Sequence, residues 1–399
     1  MNYTQEEIKQ FVIEEDVKFI RLAFTDIYGT QKNISIMPQE LDRAFTYGIA
    51  IDASAIAGFG NITHSDVFLH PDTSTLSFLP WRPDHGRVVR MYCTVCDPDG
   101  RPIEADTRYL LQKSIQKAKD MGITFAFGSE MEFYLFKTDE SGNPLKEPYD
   151  HAGYMDIAPL DKGENVRREI CLTLEQMGIE PESSHHEEGP GQNEIDFRYA
   201  EPLCAADNAI TFRAVVNTIA AHSGLYADFG PKPVATWPGN GMHINFSVTS
   251  TSETSIMEPV LAGILNRIAE MTLFLNPKKR SYHRLGQQKA PRYISWSSEN
   301  RSQLIRIPAA KGLYRRAEVR SPDPLCNPYL AYSLLMEAGM EGIRTQAVLP
   351  PAVNENLFET QGDLPKLPGS LKEAKKLAKE SLFLKEHLPL AILLAYTEE

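Results

Sequence analysis

Several things are scarce in this chain of 399 residues, and each scarcity narrows what it can be. Cysteine is one. Five residues, an odd and sparse number, fit a reducing cytoplasm rather than a disulfide-built secreted domain. Cys93 and Cys96 form a C-x-x-C, but no second pair follows at zinc-finger spacing, and Val88-Val89-Arg90-Met91-Tyr92 before them reads as a strand. The two are read as structural thiols, not a metal knuckle or redox centre. Basic charge is also short: 41 Lys and Arg stand against 53 Asp and Glu, for a net charge of -12. That argues against nucleic acid or an anionic membrane as the main partner. No apolar run reaches transmembrane length. The first residues, Met1 to Glu7, offer neither a basic n-region nor an apolar h-region, so no signal peptide is expected. Internal repeats and low-complexity tracts are missing too. What remains is an ordinary globular composition, 42% hydrophobic and 24% charged, long enough for a large core and two domains.

Periodicity divides the chain near residue 105. Before it, a helix over 5–19, a strand over 19–26, a turn at Tyr28-Gly29 and a hairpin partner over 32–36 lead to a helix over 40–47. Residues 48–56 start like a strand and become small and polar, the character of a loop that lines a site. Strands over 75–79 and 87–96 complete a small mixed unit, and Asp97-Pro98-Asp99-Gly100 is a turn. Beyond it, Asp106 caps a helix to about Met121, with Gly122 as its stop. Helices are expected over 164–177, 204–223, 256–275, 328–345 and 370–386.

The chemistry concentrates in His185-His186-Glu187-Glu188-Gly189-Pro190-Gly191-Gln192-Asn193-Glu194-Ile195-Asp196. Acids and imidazoles surround a tight Gly-Pro-Gly turn that runs into a strand. In that strand Glu194 and Asp196 share one face and Ile195 and Phe197 the other. Glu130 and Glu132, two apart on the aromatic strand 123–136, also share a face, and burying both is costly unless a cation lies between them. A Gly-x-Gly loop, Gly239-Asn240-Gly241, precedes a strand whose polar set is His243, Asn245 and Ser247. Arginines then accumulate at 284, 292, 301, 306, 315, 316 and 320, with Glu318 among the last three; inward guanidiniums suit phosphate or carboxylate. This inventory fits metal-assisted phosphoryl chemistry on an acidic substrate.

The same residues carry a resemblance over nearly the whole chain. Lys232 to Ser247 is similar to the nucleotide-region signature of the glutamine synthetase family, bacterial type. Glu130-Met131-Glu132, His185-His186-Glu187, Gln192-Asn193-Glu194, Asn300-Arg301-Ser302, Arg306-Ile307-Pro308 and Arg316 to Pro324 follow in the family's order. The resemblance implies an α+β fold: a β-grasp-like N-terminal domain over 1–104, then over 105–399 a glutamine synthetase-like catalytic domain with a curved antiparallel sheet and surrounding helices. It implies a carbon–nitrogen ligase that uses ATP and Mg²⁺ or Mn²⁺, two to three ions per site. It also implies a homo-oligomeric ring, hexamer or stacked dodecamer, in which a neighbour's N-terminal domain completes each site. Carried over by motif, Glu132, Glu187 and Glu194 hold one metal, and Glu130, His243 and Glu318 the second. Arg284, Arg301 and Arg320 bind glutamate and the transferring phosphate. Asn245, Ser247, Arg306 and Lys311 serve the nucleotide. Asp52, Ser54, Tyr154, Gly239 and Lys289 fall to the substrate side.

That side departs from the family pattern. The flap reads Arg284-Leu285-Gly286-Gln287-Gln288-Lys289-Ala290-Pro291, one residue short, with Lys289 where the family has a glutamate that holds and deprotonates ammonium. The ammonium-pocket segment reads Asp52-Ala53-Ser54-Ala55, losing a serine, and Pro238 replaces the usual asparagine, as in the γ-glutamyl-polyamine branch. The chain also stops soon after Tyr396, short of the tail typical of bacterial members. Three readings follow: a ligase joining glutamate to an organic amine, a glutamine synthetase with a divergent flap, and a non-catalytic regulatory relative. Six intact metal ligands count against the third.

Overall fold

The computed structural model describes residues 3–60, 63, 65–252, 255–309, 316–360 and 363–398. The chain forms two compact units, Met1–Leu110 with Leu172–Ile179, and Leu111–Cys171 with Glu180–Glu399.

The first unit opens with α1 (Gln5–Glu14), which begins at a capping box: the Thr4 hydroxyl accepts from the Glu7 amide while the Glu7 carboxylate accepts from the Thr4 amide. The expected helix to residue 19 stops here. Asp16 turns with φ of 48°, and Val17 starts β1 (Val17–Thr25), whose Ile20, Leu22 and Ala23 are fully buried. There follow β2 (Gln31–Ile36), α2 (Leu41–Tyr47), β3 (Ile49–Asp52), β4 (Asp66–Pro71), β5 (Ser77–Phe78) and β6 (Arg87–Cys96). The sheet runs β2-β1-β6-β4-β3, with β5 on β6, and β1 lies parallel to β6. Strand β4 carries no periodicity that sequence reading caught. Cys93 and Cys96 are both buried on β6, where burial first of all pushes the Cys96 thiol up to about 11, as structural thiols require.

Then come α3 (Thr107–Asp120), β7 (Ile123–Thr138), β8 (Pro144–Pro148), α4 (Glu164–Gln176), β9 (Pro181–His186), β10 (Gln192–Phe197), α5 (Pro202–His222), β11 (Leu225–Asp228), β12 (Met242–Ser250), α6 (Met257–Leu275) and the short α7 (Ser281–Arg284). The order closes with β13 (Trp296–Ser298), β14 (Ile305–Ile307), β15 (Ala317–Val319), α8 (Pro328–Arg344), α9 (Leu371–Glu380), α10 (Leu382–His387) and α11 (Leu390–Glu398). The expected helix over 370–386 is two helices: Ser381 ends α9 and its hydroxyl caps α10 by accepting from the Leu384 amide.

The second unit is built on a nine-stranded sheet ordered β13-β14-β15-β12-β7-β10-β9, with β8 and β11 also on β7. All these pairings are antiparallel except β13 with β14. Sixteen-residue β7 is the spine. Its apolar face, through Phe125, Phe127 and Phe133, packs in the core, with the Phe127 ring stacked on Tyr332 of α8 at 4.5 Å. Helices α6 and α8 pack closely and are buried along most of their lengths.

Candidate active site

The polar face of this sheet carries the acids, and strand register sets them in rows. Glu130 of β7 lies opposite His243 of β12 on one side and Asp196 of β10 on the other. Two residues along, Glu132 lies opposite Glu194 of β10, which lies opposite His185 of β9. In the other direction Asn245 of β12 faces Glu318 of β15, which faces Arg306 of β14. Alternation along each strand and antiparallel pairing between strands are enough to gather these side chains.

Ligand atoms of Glu130, His243 and Glu318 lie within 4.8 Å of one another. The same holds for Glu132, Glu194 and His243, for His185, Glu187 and Glu194, and for Glu130, Glu194 and Asp196. Glu187 therefore approaches Glu194 beside His185, while Glu132 approaches Glu194 beside His243. His185 and Asp196 were given no role from sequence. The available signal was their parity with residues that were: Asp196 stands two positions after Glu194, and His185 two before Glu187.

The electrostatics are those of an acid cluster needing countercharge. Burial, then the charges of Glu194 and Glu187, push Glu132 up to about 8, although His243 and Arg284 pull the other way. Burial, with Asp196, Glu130 and Glu187, raises Glu194 well above the carboxylate range. Burial and the Glu130 charge bring Asp196 up to about 7. Burial also works against ionised Glu130, but hydrogen bonds and charge from His243, with the amide of Asn245 and the charge of Arg316, bring it down to about 2. Acids pressed together out of water are stabilised in the charged form by a divalent cation between them. Carboxylate oxygens with one or two imidazoles suit Mg²⁺ or Mn²⁺, so the residues fit such ions.

The glycine loop holds Glu132 in place. Its Oε2 accepts from the Gly241 amide at 2.8 Å and from Gln192 Nε2 at 3.1 Å. A Cβ on Gly241 would stand 2.7 Å from Arg284 Nη2 and 2.8 Å from His243 Nε2, and one on Gly239 2.9 Å from Arg284 Cγ. Only glycine lets the backbone pass this close. The carbonyl of Pro238 accepts the Tyr134 hydroxyl at 2.8 Å.

Three of the expected arginines converge on the acids. Arg320, 2% exposed, donates from Nη1 to Glu318 Oε1 at 2.5 Å, and Arg306 donates from Nη1 to Glu318 Oε2 at 2.8 Å. Arg284, buried, donates to the carbonyls of Ser321 and Arg320. The Arg320 Nε is buried with no partner among the described residues, a donor left for a ligand. Arg301 is exposed in the turn before β14 and is not brought among the buried acids by any ion pair among the described residues. Arg316, to which sequence gave no role, donates to Asn245 Oδ1 at 3.0 Å. A cavity of about 190 Å³ opens beside Glu130, Asn245 and Arg316, with Gly128, Tyr199 and Phe197 in its walls. Ser247 follows Asn245 on β12 at the same parity. Lys311 lies outside the described residues.

The substrate-side residues fall in both units. In the first, Asp52 ends β3, exposed, and its Oδ1 accepts from the Ser54 amide at 2.9 Å. Hydrogen bonds from the Ser54 side chain and backbone, then from Ser65, hold its carboxyl low. In the second, Lys289 sits on the flap beside Gln288. Both are non-glycine residues with positive φ, 67° and 45°, a conformation that needs support from its surroundings. Gln288 Oε1 accepts from Lys232 Nζ at 2.5 Å, and the Lys289 carbonyl lies 3.5 Å from Arg320 Nη2. The Lys289 ammonium points at Glu188, 2.5 Å from its Oε1, and lies 5.2 Å from the centre of the Tyr154 ring. Tyr154 in turn meets His185 edge-on at 5.4 Å.

Comparison with known proteins adds identity to this geometry. Residues 16–98 match the family model "Glutamine synthetase, beta-Grasp domain" and residues 104–398 match "Glutamine synthetase, catalytic domain". The α+β reading and the family resemblance are thereby borne out. The chain is 45% identical to a glutamine synthetase of Methanosarcina mazei over 405 residues, covering 96% of this chain and 90% of the relative. It is 42% identical to one of Clostridium saccharobutylicum, covering 97% and 91%. Among solved structures, an ADP complex of GmaS superposes with a TM-score of 0.89 at 26% identity, covering 100% of this chain and 94% of the other.

Proposed function

This chain belongs to the glutamine synthetase family, and from that premise we propose that it is an ATP-dependent carbon–nitrogen ligase acting on the γ-carboxylate of glutamate and an organic amine. A carboxylate is a poor electrophile, so its oxygen first attacks the γ-phosphorus of ATP, giving an acyl phosphate and ADP. The amine nitrogen then attacks the acyl carbon, phosphate leaves, and the surplus proton passes to a carboxylate of the amine pocket, Asp52 or Glu187. Glu130, Glu132, Glu187, Glu194, His243 and Glu318 would hold divalent cations, whose charge would offset that of the phosphates. Arg284 and Arg320 position the carboxylate and transferring phosphoryl group, and Arg306, Asn245 and Ser247 hold the nucleotide. Arg301 and Lys311 are assigned to the same tasks by motif alone. ADP in a structural relative accords with this use of a nucleotide.

Lys289 is the observation that carries the choice of amine. Its ammonium already engages Glu188 and the Tyr154 ring, so the pocket holds a cation where a small ammonium ion would otherwise be stabilised. An organic amine that brings apolar surface to Tyr154 has something to gain there that ammonium does not. The second reading, glutamine synthesis from ammonia, is favoured by the names of relatives at 42–45% identity. Steady-state kcat/KM for ammonium beside methylamine, ethanolamine and putrescine separates the two. We expect one of the organic amines to lead by on the order of tenfold, about 1.4 kcal/mol in transition-state binding; a wide ammonium lead returns the enzyme to glutamine synthetase proper.

We also infer a cytoplasmic ring of identical subunits with domains dividing near residue 104, each site taking Asp52 and Ser54 from a neighbour. No described helix is long and apolar enough to cross a membrane, and all five cysteines are free, which accords with a reducing compartment. Light scattering with activity measured across a dilution series is expected to show activity vanishing as the ring dissociates; an active monomer would contradict the shared site.

A further inference from the structure

Away from the acid cluster, a second cavity of about 560 Å³ lies between α7 and the start of α9. Its lining reverses the charge of the chain. In a protein of net charge -12, the wall presents Lys279, Lys372, Lys375 and His283 and no carboxylate. None of these three lysines is paired with an acid among the described residues. The first turn of α9 faces the same space through Gly369, Ser370 and Leu371. Nearby Glu373 is turned back into the cap: its Oε2 accepts from the Gly369 amide at 2.7 Å while its own amide donates to Ser370 Oγ.

The fourth feature is Tyr282. It lines the cavity, is 8% exposed, and its hydroxyl is buried with no hydrogen-bond partner among the described residues. A buried phenol without a partner costs free energy that a ligand recovers. Burial, then the charges of Asp323 and Glu373, raise its pKa far above the ordinary phenol value.

We propose that this cavity is an effector site for a small organic phosphomonoester. The dianion fits three unpaired ammonium groups and the positive end of a ten-residue helix. Tyr282, Leu371 and the lysine stems supply apolar surface for its organic part, and the volume is that of a metabolite rather than a lone ion.

The site is wired to the catalytic one by two short connections. Tyr282 and His283 face the cavity, and the next residue of the same four-residue helix is Arg284, packed against Gly239 and Gly241. Arg292 makes the second: its guanidinium lies against Gly369, and its stem against Gly286 of the flap. A ligand that shifts α7 or Arg292 therefore moves groups that hold glutamate. The effector role rests on the ligase reading; binding itself does not, and the two are measured separately.

The test uses the intact assembly with phenyl phosphate as probe and inorganic phosphate and benzoate as controls, by titration calorimetry in saturating ADP and Mg²⁺, so that the nucleotide site is filled. Phenyl phosphate is expected to bind in the submillimolar range, at least tenfold tighter than either control. The charge reversal Lys372→Glu/Lys375→Glu, on surface lysines outside the catalytic set, is expected to weaken it at least tenfold without changing kcat in the absence of probe. Tyr282→Phe, which removes only the hydroxyl, is expected to weaken it several-fold. Saturating phenyl phosphate is expected to shift KM for glutamate at least twofold in wild type and not in the double variant. Binding that survives the charge reversal, that appears only when ADP is left out, or that is absent at millimolar probe overturns the site. Binding that leaves KM for glutamate unchanged overturns the effector role. An unreactive protein that binds the probe and loses it on charge reversal keeps the site and sinks the ligase reading instead.

Discussion

Glu318→Ala is expected to lower turnover by at least about a thousandfold and to destabilise the protein even with no metal present. Glu318 is 1% exposed, and its two oxygens accept from Arg320 and Arg306 at 2.5 and 2.8 Å, with His243 Nδ1 at 3.6 Å. Removing it leaves Arg320, itself buried, without its carboxylate. Breaking a buried pair in this way costs about 3–5 kcal/mol. Denaturant unfolding in excess chelator reads that loss, and an activity assay reads the other. A variant that unfolds with wild-type stability in chelator would show that the arginines are satisfied by something other than Glu318.

Glu132→Gln is expected to remove activity to a similar degree with the opposite effect on the metal-free fold. The amide oxygen of glutamine can still accept from the Gly241 amide and Gln192, the two bonds that now reach Glu132 Oε2. What disappears is a charge that burial and its neighbours already oppose. In the metal-free protein that opposition has a sign. The acid ionises near its ordinary 4.5 when unfolded and near 8 when folded. Between those values the folded state holds more protons, so this group's contribution makes stability fall as pH rises. The variant is expected to lose that part of the decline, to match or exceed wild-type stability in chelator at pH 8, and to gain less from added Mg²⁺. Thermal unfolding across pH 5 to 8, with and without Mg²⁺, checks all three. Near wild-type activity at ordinary Mg²⁺ would end the assignment of Glu132 as a ligand.

The two substitutions separate what the sequence could and could not say. That Glu130 and Glu132 share a face, and Glu194 and Asp196 another, follows from the period of a strand. Which acid opposes which does not, because the pairing of β7 with β10 and β12 is a property of the folded sheet. Motif order therefore named six ligands, whereas the register shows His243 standing in two clusters and Glu194 in three, and brings in His185 and Asp196. Helix limits were missed where a local signal outweighed a long pattern: the Asp16 turn before β1, and Ser381 between α9 and α10. Lys289 was visible as an anomaly, but its direction was not. The flap's only glycine is Gly286, and nothing in Gln287-Gln288-Lys289 announces two consecutive left-handed residues that aim the ammonium at Glu188.

The position of β7 at the centre of the sheet also governs where this enzyme can change in length. Inserting or deleting one residue between Phe125 and Phe133 would exchange the two faces of the strand, placing Met131 among the acids and Glu130 and Glu132 against α8. Core and chemistry would fail in one step, so the strand is closed to such events. Segments with no period-two constraint are open to them. The flap from Arg284 to Pro291 is one: its ends are fixed by the buried Arg284 and by the Gly286 amide donating to the Ala290 carbonyl at 2.9 Å, and only its tip is free to gain or lose a residue. On the proposed reading, in which the flap meets the nucleophile, selectivity would drift by loop indels while the acid cluster stays in register.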